Sequence, residues 1–275
     1  MIVSGNTNIE KIYYNGYAIS KIYACNDEVV WTGDTPTPPT GTSKLTYHTT
    51  SGDTYVIPCD GSPSLTLTEM INSMDEHGIA TRPLYNYAVA SAEVGDCVNT
   101  LGETLFDDMF SLSSVTIPNN ITTIGHSVFK NIGISAITIP SSVTSLGEFA
   151  FEGCEKLVSI DIPSSITSIN QGTFMDNIRL MNITLPSTIT SIDDDAFYLP
   201  SYEVGDSRRT YVLRAITGRT VTMLATTPPT IGSGVFGYGG SESCTYPIYV
   251  PAASVSAYQS AWSVYANRIQ AIPNS

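Results

Sequence analysis

A β-rich solenoid, built from stacked copies of one short unit and capped at both ends, is the fold class this sequence predicts. Two observations carry the prediction. Between Leu112 and Phe197 one phrase is written four times, as LSSVTIPNNITTIG, ISAITIPSSVTSLG, LVSIDIPSSITSIN and LMNITLPSTITSID, and self-similarity at a fixed period is the first signal to weigh in a sequence. Pro118, Pro140, Pro163 and Pro186 stand 22, 23 and 23 residues apart, and Phe129, Phe151, Phe174 and Phe197 keep the same three spacings. Two independent markers share one period.

Each unit opens on an alternation of apolar and polar residues, as in Val115-Thr116-Ile117 or Ile160-Asp161-Ile162, the period-2 signature of a half-buried strand. Proline then ends the strand, because it has no N–H to give to a ladder. An inward pair follows three residues apart (Ile121/Ile124, Val143/Leu146, Ile166/Ile169, Ile189/Ile192), and five residues later comes the phenylalanine. One unit cannot bury its own apolar face, whereas stacked copies form an isoleucine ladder and a phenylalanine column, each fully buried side chain contributing roughly 1.5–3 kcal/mol. Leu101 to Phe106 and Ile231 to Phe236 keep the same spacing of five, with Ala92, Val94 and Val98 at inward positions upstream and Gly95 in place of the proline. About six units are therefore expected, the outer two degenerate as solenoid ends require. The hand of the solenoid stays open.

Ahead of the repeats, residues 1–31 read as a small β module, with three short strands around the Asn15-Gly16 and Asn26-Asp27-Glu28 turns and a doubled Lys-Ile-Tyr at 11–13 and 21–23. Residues 32–43, TGDTPTPPTGTS, form a Pro/Thr/Gly linker expected to be extended and semi-rigid. Residues 44–87 read as the N-terminal cap, with a hairpin about Ser51-Gly52-Asp53 and a short helix stopped by Gly78 and capped by Thr66 or Thr68. The solenoid proper spans 88–250 and carries an insert at 198–219 that is expected to project as a hairpin. In the last segment, 251–275, Val255, Tyr258, Trp262, Tyr265 and Ile269 recur at 3, 4, 3 and 4 residues, which predicts one capping helix over the final repeat.

Composition narrows the function. Only 13% of residues are charged and the net charge is −13, which disfavours nucleic acid and anionic membranes. No apolar run approaches the ~20 residues that span a bilayer, and the opening MIVSGNTNIEK shows no secretory signal. Five cysteines without a C-x-x-C pair read as free thiols in a reducing compartment. His48, His77 and His126 are isolated, no catalytic motif or phosphate loop is present, and Asp193-Asp194-Asp195 occupies a turn position held by Gly-His-Ser or Gly-Glu-Phe in sister units. No catalytic residue, cofactor or metal ligand is assigned, and the chain is not read as an enzyme. The candidate binding surface is a pair of hydroxyl-rich rows. Thr116, Thr138, Asp161 and Thr184 should line up on the outward strand face at about 4.8 Å per unit, with Thr122, Thr144, Thr167 and Thr190 beside them.

The pattern L-x-x-I-x-I-P-x-x-[VI]-T-x-[IL]-G-x-x-x-F, with the Phe151-Glu152-Gly153-Cys154 of one unit, resembles the BspA-like class of leucine-rich repeats of gut and oral bacteria. The phrases TPPTIGSGVF and TYPIYVPAASVSAYQSAW resemble the closing segment of many such proteins, so the resemblance covers roughly residues 88–272. It implies a leucine-rich repeat solenoid and a non-enzymatic adhesion or host-interaction protein meeting a host-cell protein or glycan. The N-terminal module, ending in Val30-Trp31, resembles small modules of bacteriophage tail and other virion proteins. That second resemblance implies a virion component made in the bacterial cytoplasm and assembling, as a homo-oligomer or in a larger particle, through residues 1–31. The alternatives are an exported bacterial cell-surface adhesin and a purely structural virion scaffold.

Overall fold

The computed structural model describes residues 43–77, 87–199, 219–237 and 246–273, and four short strands nearer the N-terminus. The chain divides into two compact units, Met1–Thr42 and Ser43–Ser275. In the first, β1 (Ile12–Tyr14) pairs antiparallel with β2 (Tyr17–Ile19), and β3 (Lys21–Tyr23) with β4 (Val29–Thr32). The three strands expected there are thus four, because the run from Tyr17 to Tyr23 is divided between Ile19 and Lys21 and contributes one strand to each hairpin.

The second unit begins with the hairpin of β5 (Ser43–Thr49) and β6 (Thr54–Pro58), turned at Gly52 with φ +97°. After β7 (Ser64–Leu65) comes α1 (Leu67–Glu76). Thr66 caps the helix: its hydroxyl accepts the Glu69 N–H at 3.3 Å while the Glu69 carboxylate accepts the Thr66 N–H at 2.8 Å, a reciprocal arrangement that satisfies two orphan donors. Lys44 on β5 is fully buried and reaches Asp60 at 2.7 Å and Glu69 at 2.5 Å. Burial draws the Lys44 ammonium down, but hydrogen bonds to Asp60 and Glu69 outweigh it and its pKa is raised. Burial pushes Glu69 up, and the hydrogen bonds from Lys44 and from the Thr66 hydroxyl and N–H together outweigh it, leaving that carboxyl lowered. Beside this triad Cys59 and Cys97 form a disulfide, while Cys154 is a buried free thiol that donates to the Phe129 carbonyl at 3.0 Å. The expectation of free thiols throughout is corrected for that pair: the fold brings together two cysteines 38 residues apart that no short motif links.

β5 lies antiparallel to β8 (Val89–Val94), and from there every pairing is parallel. Two rows of strands alternate along the chain. The first row continues through β10 (Ser114–Thr116), β12 (Ala136–Thr138), β14 (Ser159–Asp161), β16 (Asn182–Leu185), β18 (Thr220–Met223) and β20 (Ile248–Val250). The second comprises β7, β9 (Thr100–Leu101), β11 (Thr123–Ile124), β13 (Ser145–Leu146), β15 (Ser168–Ile169), β17 (Ser191–Ile192) and β19 (Thr230–Ile231). Ladder pairing is interrupted between β10 and β12, β14 and β16, and β13 and β15. Between the rows each proline carbonyl accepts the N–H three residues on, from Ile121, Val143, Ile166 and Ile189, so proline ends one strand and opens a turn.

The core is the predicted column. Phe106, Phe129, Phe151, Phe174, Phe197 and Phe236 are all fully buried, with successive ring centroids 5.7, 5.2, 5.5, 5.4 and 5.8 Å apart and planes within 22° of parallel. Each of the first five also donates its N–H to the residue preceding the next phenylalanine, as in Phe151 to Thr173 at 2.9 Å. The chain turns sharply around each ring. Around Phe106, Phe129, Phe151 and Phe174 the residues two before and two after take left-handed φ, as at Ser127 (53°) and Asn131 (56°) around Phe129, and Gly172 (57°) and Asp176 (58°) around Phe174. Phe149 takes φ 56° at the position its sisters fill with Thr104, Ser127, Gly172 and Asp195. Its ring lies where a Cβ on Gly172 would stand, 2.3 Å away, so glycine there serves both the left-handed turn and the close approach.

The single capping helix expected over 251–275 is corrected. A 3-10 turn (Ala252–Ser254), α2 (Val255–Ala261), a second 3-10 segment (Ser263–Arg268) and β21 (Ile269–Ala271) follow one another, and β21 extends the first row by pairing with β20. The helical stripe breaks at Trp262 (φ −111°, ψ 55°), whose indole N–H donates to the Pro229 carbonyl at 2.9 Å. Tyr258, Trp262, Tyr265 and Ile269 are nevertheless buried, and Trp262 and Tyr265 close the column against Phe236 at 5.8 and 5.5 Å. The hairpin expected at 198–219 falls almost wholly outside the described residues.

Candidate binding face

Strand alternation sets which side chains point away from the core. In β12 and β14, Ile137 and Ile160 are buried while Ala136, Thr138, Ser159 and Asp161 are exposed. Parallel register then aligns the outward positions across strands: Thr116 with Glu93, Thr138 with Asp161, and Thr184 with Thr222. Thr116, Thr138, Asp161 and Thr184 are all exposed, and their side chains make no hydrogen bond to another described residue.

Across β10, β12 and β14 this face holds a shallow groove of about 380 Å³. Ser114, Thr116, Thr138, Ser159 and Asp161 line it with polar groups, over a floor of the half-buried Val115 and Ile117 and the buried Ile137 and Ile160. It lies across the interruption between β10 and β12. Three of the predicted residues, Thr116, Thr138 and Asp161, therefore share one concavity, whereas Thr184 lies farther along the same row on β16.

The second predicted row has a different chemistry. Thr122 donates its hydroxyl to the Asn99 carbonyl at 3.2 Å, Thr144 to Thr122 at 3.4 Å and Thr190 to Thr167 at 3.1 Å. These hydroxyls tie each coil to the one before it. Thr167 accepts from Thr190, and the ladder behind it is the interrupted one between β13 and β15. There the Asn170 side-chain amide donates to the Leu146 carbonyl at 2.6 Å, while in sister units a backbone N–H, as from Gly147 to Ile124 at 2.8 Å, makes the corresponding bond.

A further set escaped the sequence reading. Asn120, Ser142, Ser165 and Thr188, each two residues past a unit's proline, donate to the carbonyls of Val98, Ile121, Val143 and Ile166 at 2.6, 2.6, 2.6 and 2.9 Å. The signal was present as a small polar residue in every copy of Pro-x-[Asn/Ser/Thr]. The isolated groups also have local roles. His48 Nδ1 lies 2.8 Å from the Thr54 hydroxyl, and Asp194 accepts the Ser233 N–H of the following coil at 2.6 Å. Burial, and then the neighbouring Asp194, push the Asp195 carboxyl up.

The stacked parallel strands, the turn after each proline and the ring column define a leucine-rich repeat solenoid. Residues 79–202 match the family model of the BspA-type leucine-rich repeat region in six copies. Among solved structures, a leucine-rich repeat protein of T. pallidum is 20% identical, with 74% of this chain and 88% of that one covered and a TM-score of 0.49. One from Bacteroides ovatus is 16% identical, covering 90% and 71%, with a TM-score of 0.38. A leucine-rich cell surface protein of Faecalibacterium prausnitzii is 17% identical, covering 55% and 60%, with a TM-score of 0.23. No curated protein matches the chain. Among the described residues no helix is long and apolar enough to cross a membrane.

Proposed function

We propose that this protein is a non-enzymatic recognition and adhesion protein that presents the outward face of its first strand row to a host-cell protein or glycan. The observation that carries the reading is the division between hydroxyl rows. Thr122, Thr144 and Thr190 of the second row spend their donors on neighbouring coils, while Thr116, Thr138, Asp161 and Thr184 are exposed and uncommitted. A bacterial surface location accords with the repeat type, and the Cys59–Cys97 disulfide accords with maturation in an oxidising compartment. The test is adhesion of the full-length protein to host cells. Thr138→Arg and Thr184→Arg should abolish it with an unchanged melting temperature, and Thr144→Val should leave it intact. Adhesion that survives both arginine variants refutes this role for the face.

A second reading, a bacteriophage virion component anchored through residues 1–31, rests on the separation of Met1–Thr42 from the repeats as its own compact unit. Deleting residues 1–31 should then abolish incorporation into particles while leaving the repeats folded. Fractionation of the native protein separates the two readings: envelope for the first, particles for the second.

A further inference from the structure

The groove on β10, β12 and β14 has a chemistry that selects among ligands for the proposed face. Its outward positions are Ser114, Thr116, Ala136, Thr138, Ser159 and Asp161. Protein–protein interfaces draw on aromatic side chains, methionine and arginine and are depleted in serine, alanine and aspartate. No lining residue of the groove is aromatic or basic, so it lacks the anchors from which binding hot spots are made. Anionic ligands are disfavoured too, because the groove's ionisable group is a carboxylate and the chain carries a net charge of −13.

We infer that this groove is a binding site for a neutral glycan, an inference that rests on the recognition role proposed above and names its ligand class. Hydroxyls suit that ligand because each is at once a donor and an acceptor, and Ser114, Thr116, Thr138 and Ser159 face a polyol with both capacities. The Asp161 carboxylate adds two acceptor oxygens at the β14 side, enough to take hydroxyl hydrogens from adjacent sugar carbons. Val115, half-buried in β10 between Ser114 and Thr116, offers the limited apolar surface that the groove has for the C–H face of a pyranose ring. With no ring to stack on and hydrogen bonds of modest net strength, a single site binds weakly, at a Kd of about 1 mM.

The experiment titrates the full-length protein with a panel of neutral linear hexasaccharides, namely gluco-, manno-, xylo- and N-acetylglucosamine oligomers, and follows backbone amide shifts by NMR. At least one should bind with shifts confined to β10, β12 and β14, and with an affinity that does not change between about 50 and 500 mM salt, as expected of an uncharged ligand. Thr138→Val and Asp161→Ala should each weaken that binding about tenfold at an unchanged melting temperature. The inference is overturned if no oligomer shifts these amides by about 10 mM, if both variants bind as the parent does, or if affinity falls steeply with salt. Adhesion lost in Thr138→Arg while the oligomers neither bind nor compete leaves the adhesive reading standing and removes the glycan. Adhesion unaffected in Thr138→Arg and Thr184→Arg removes the reading itself.

Discussion

Replacing Phe151 with alanine tests whether the ring column holds the repeats together. Phe151 is fully buried between Phe129, at 5.2 Å, and Phe174, at 5.5 Å with planes 9° apart. Removing a buried phenylalanine costs about 3–5 kcal/mol where the cavity cannot collapse. Collapse is resisted here, since the backbone on both sides of the ring is pinned by the Phe129 N–H to the Ala150 carbonyl and the Phe151 N–H to Thr173, each at 2.9 Å. Two ring pairs are lost as well, each worth about 0.5–1.5 kcal/mol beyond area burial, which places the expected loss near the top of the range, about 5 kcal/mol. Urea denaturation of the full-length protein, followed by tyrosine and tryptophan fluorescence, measures it as a lower midpoint at constant m-value. A position control sharpens the test. Phe106 has one phenylalanine neighbour in the column, so Phe106→Ala should cost about 1 kcal/mol less than Phe151→Ala. A loss below about 1 kcal/mol for Phe151→Ala would refute the column as the main source of cohesion.

Three further outcomes follow from named contacts. Lys44→Met leaves Glu69 without its partner and should cost about 2 kcal/mol near neutral pH, less than for a fully buried pair because Asp60 and Glu69 remain partly solvated. Since Glu69 is lowered from 4.5 in the fold, its stabilisation is present above that value and lost as pH falls through the folded one; Lys44, raised above 10.5, loses its share only as pH rises through its folded value. Urea midpoints of parent and Lys44→Met should therefore converge at low pH, and a gap that persists unchanged to pH ~2 contradicts the ion-pair account. The Cys59–Cys97 disulfide closes 38 residues, so the Cys59→Ser/Cys97→Ser protein should lose about 4 kcal/mol by loop-closure entropy, with peptide mapping of the parent showing the link. Ser142→Ala removes a 2.6 Å bond between coils and should lower stability by about 1 kcal/mol without affecting adhesion, the opposite pattern to Thr138→Arg.

What could be read in the sequence and what could not divides along the range of the interactions. The column and the first strand row were legible because each depends on one residue type recurring at one spacing, and stacking converts that period directly into contact; the second row was legible as an inward apolar pair and not as strands, which are two residues long. Phe106 and Phe236, in degenerate units, were found by the same spacing of five residues. The disulfide was not legible, because Cys59 belongs to the N-terminal cap and Cys97 to the first coil, and only the antiparallel docking of β5 on β8 brings them together. The final helix failed for a related reason. A 3, 4, 3, 4 spacing marks which side chains face inward, and they do face inward, but it does not say that the open edge of β20 recruits Ile269–Ala271 as another strand, since an unpaired buried edge costs more than the helical turns it displaces.

The threonine rows show the limit most clearly. In sequence Thr138 and Thr144 are the same residue six positions apart in the same unit, both exposed, and composition alone assigns them the same role. The separating fact is which backbone carbonyl lies within reach: Thr144 sits one coil above the Thr122 carbonyl at 3.4 Å, while Thr138 stands out from a strand whose backbone groups face its neighbours in the sheet rather than its own side chain. A hydroxyl beside a carbonyl in the turn between rows becomes part of the scaffold, and a hydroxyl on the pleat is left for solvent or a ligand. Within a repeat protein, therefore, the turn positions set how the coils stack and the strand positions set what the stack presents, so Thr116, Thr138, Asp161 and Thr184 can be exchanged with little change in stability.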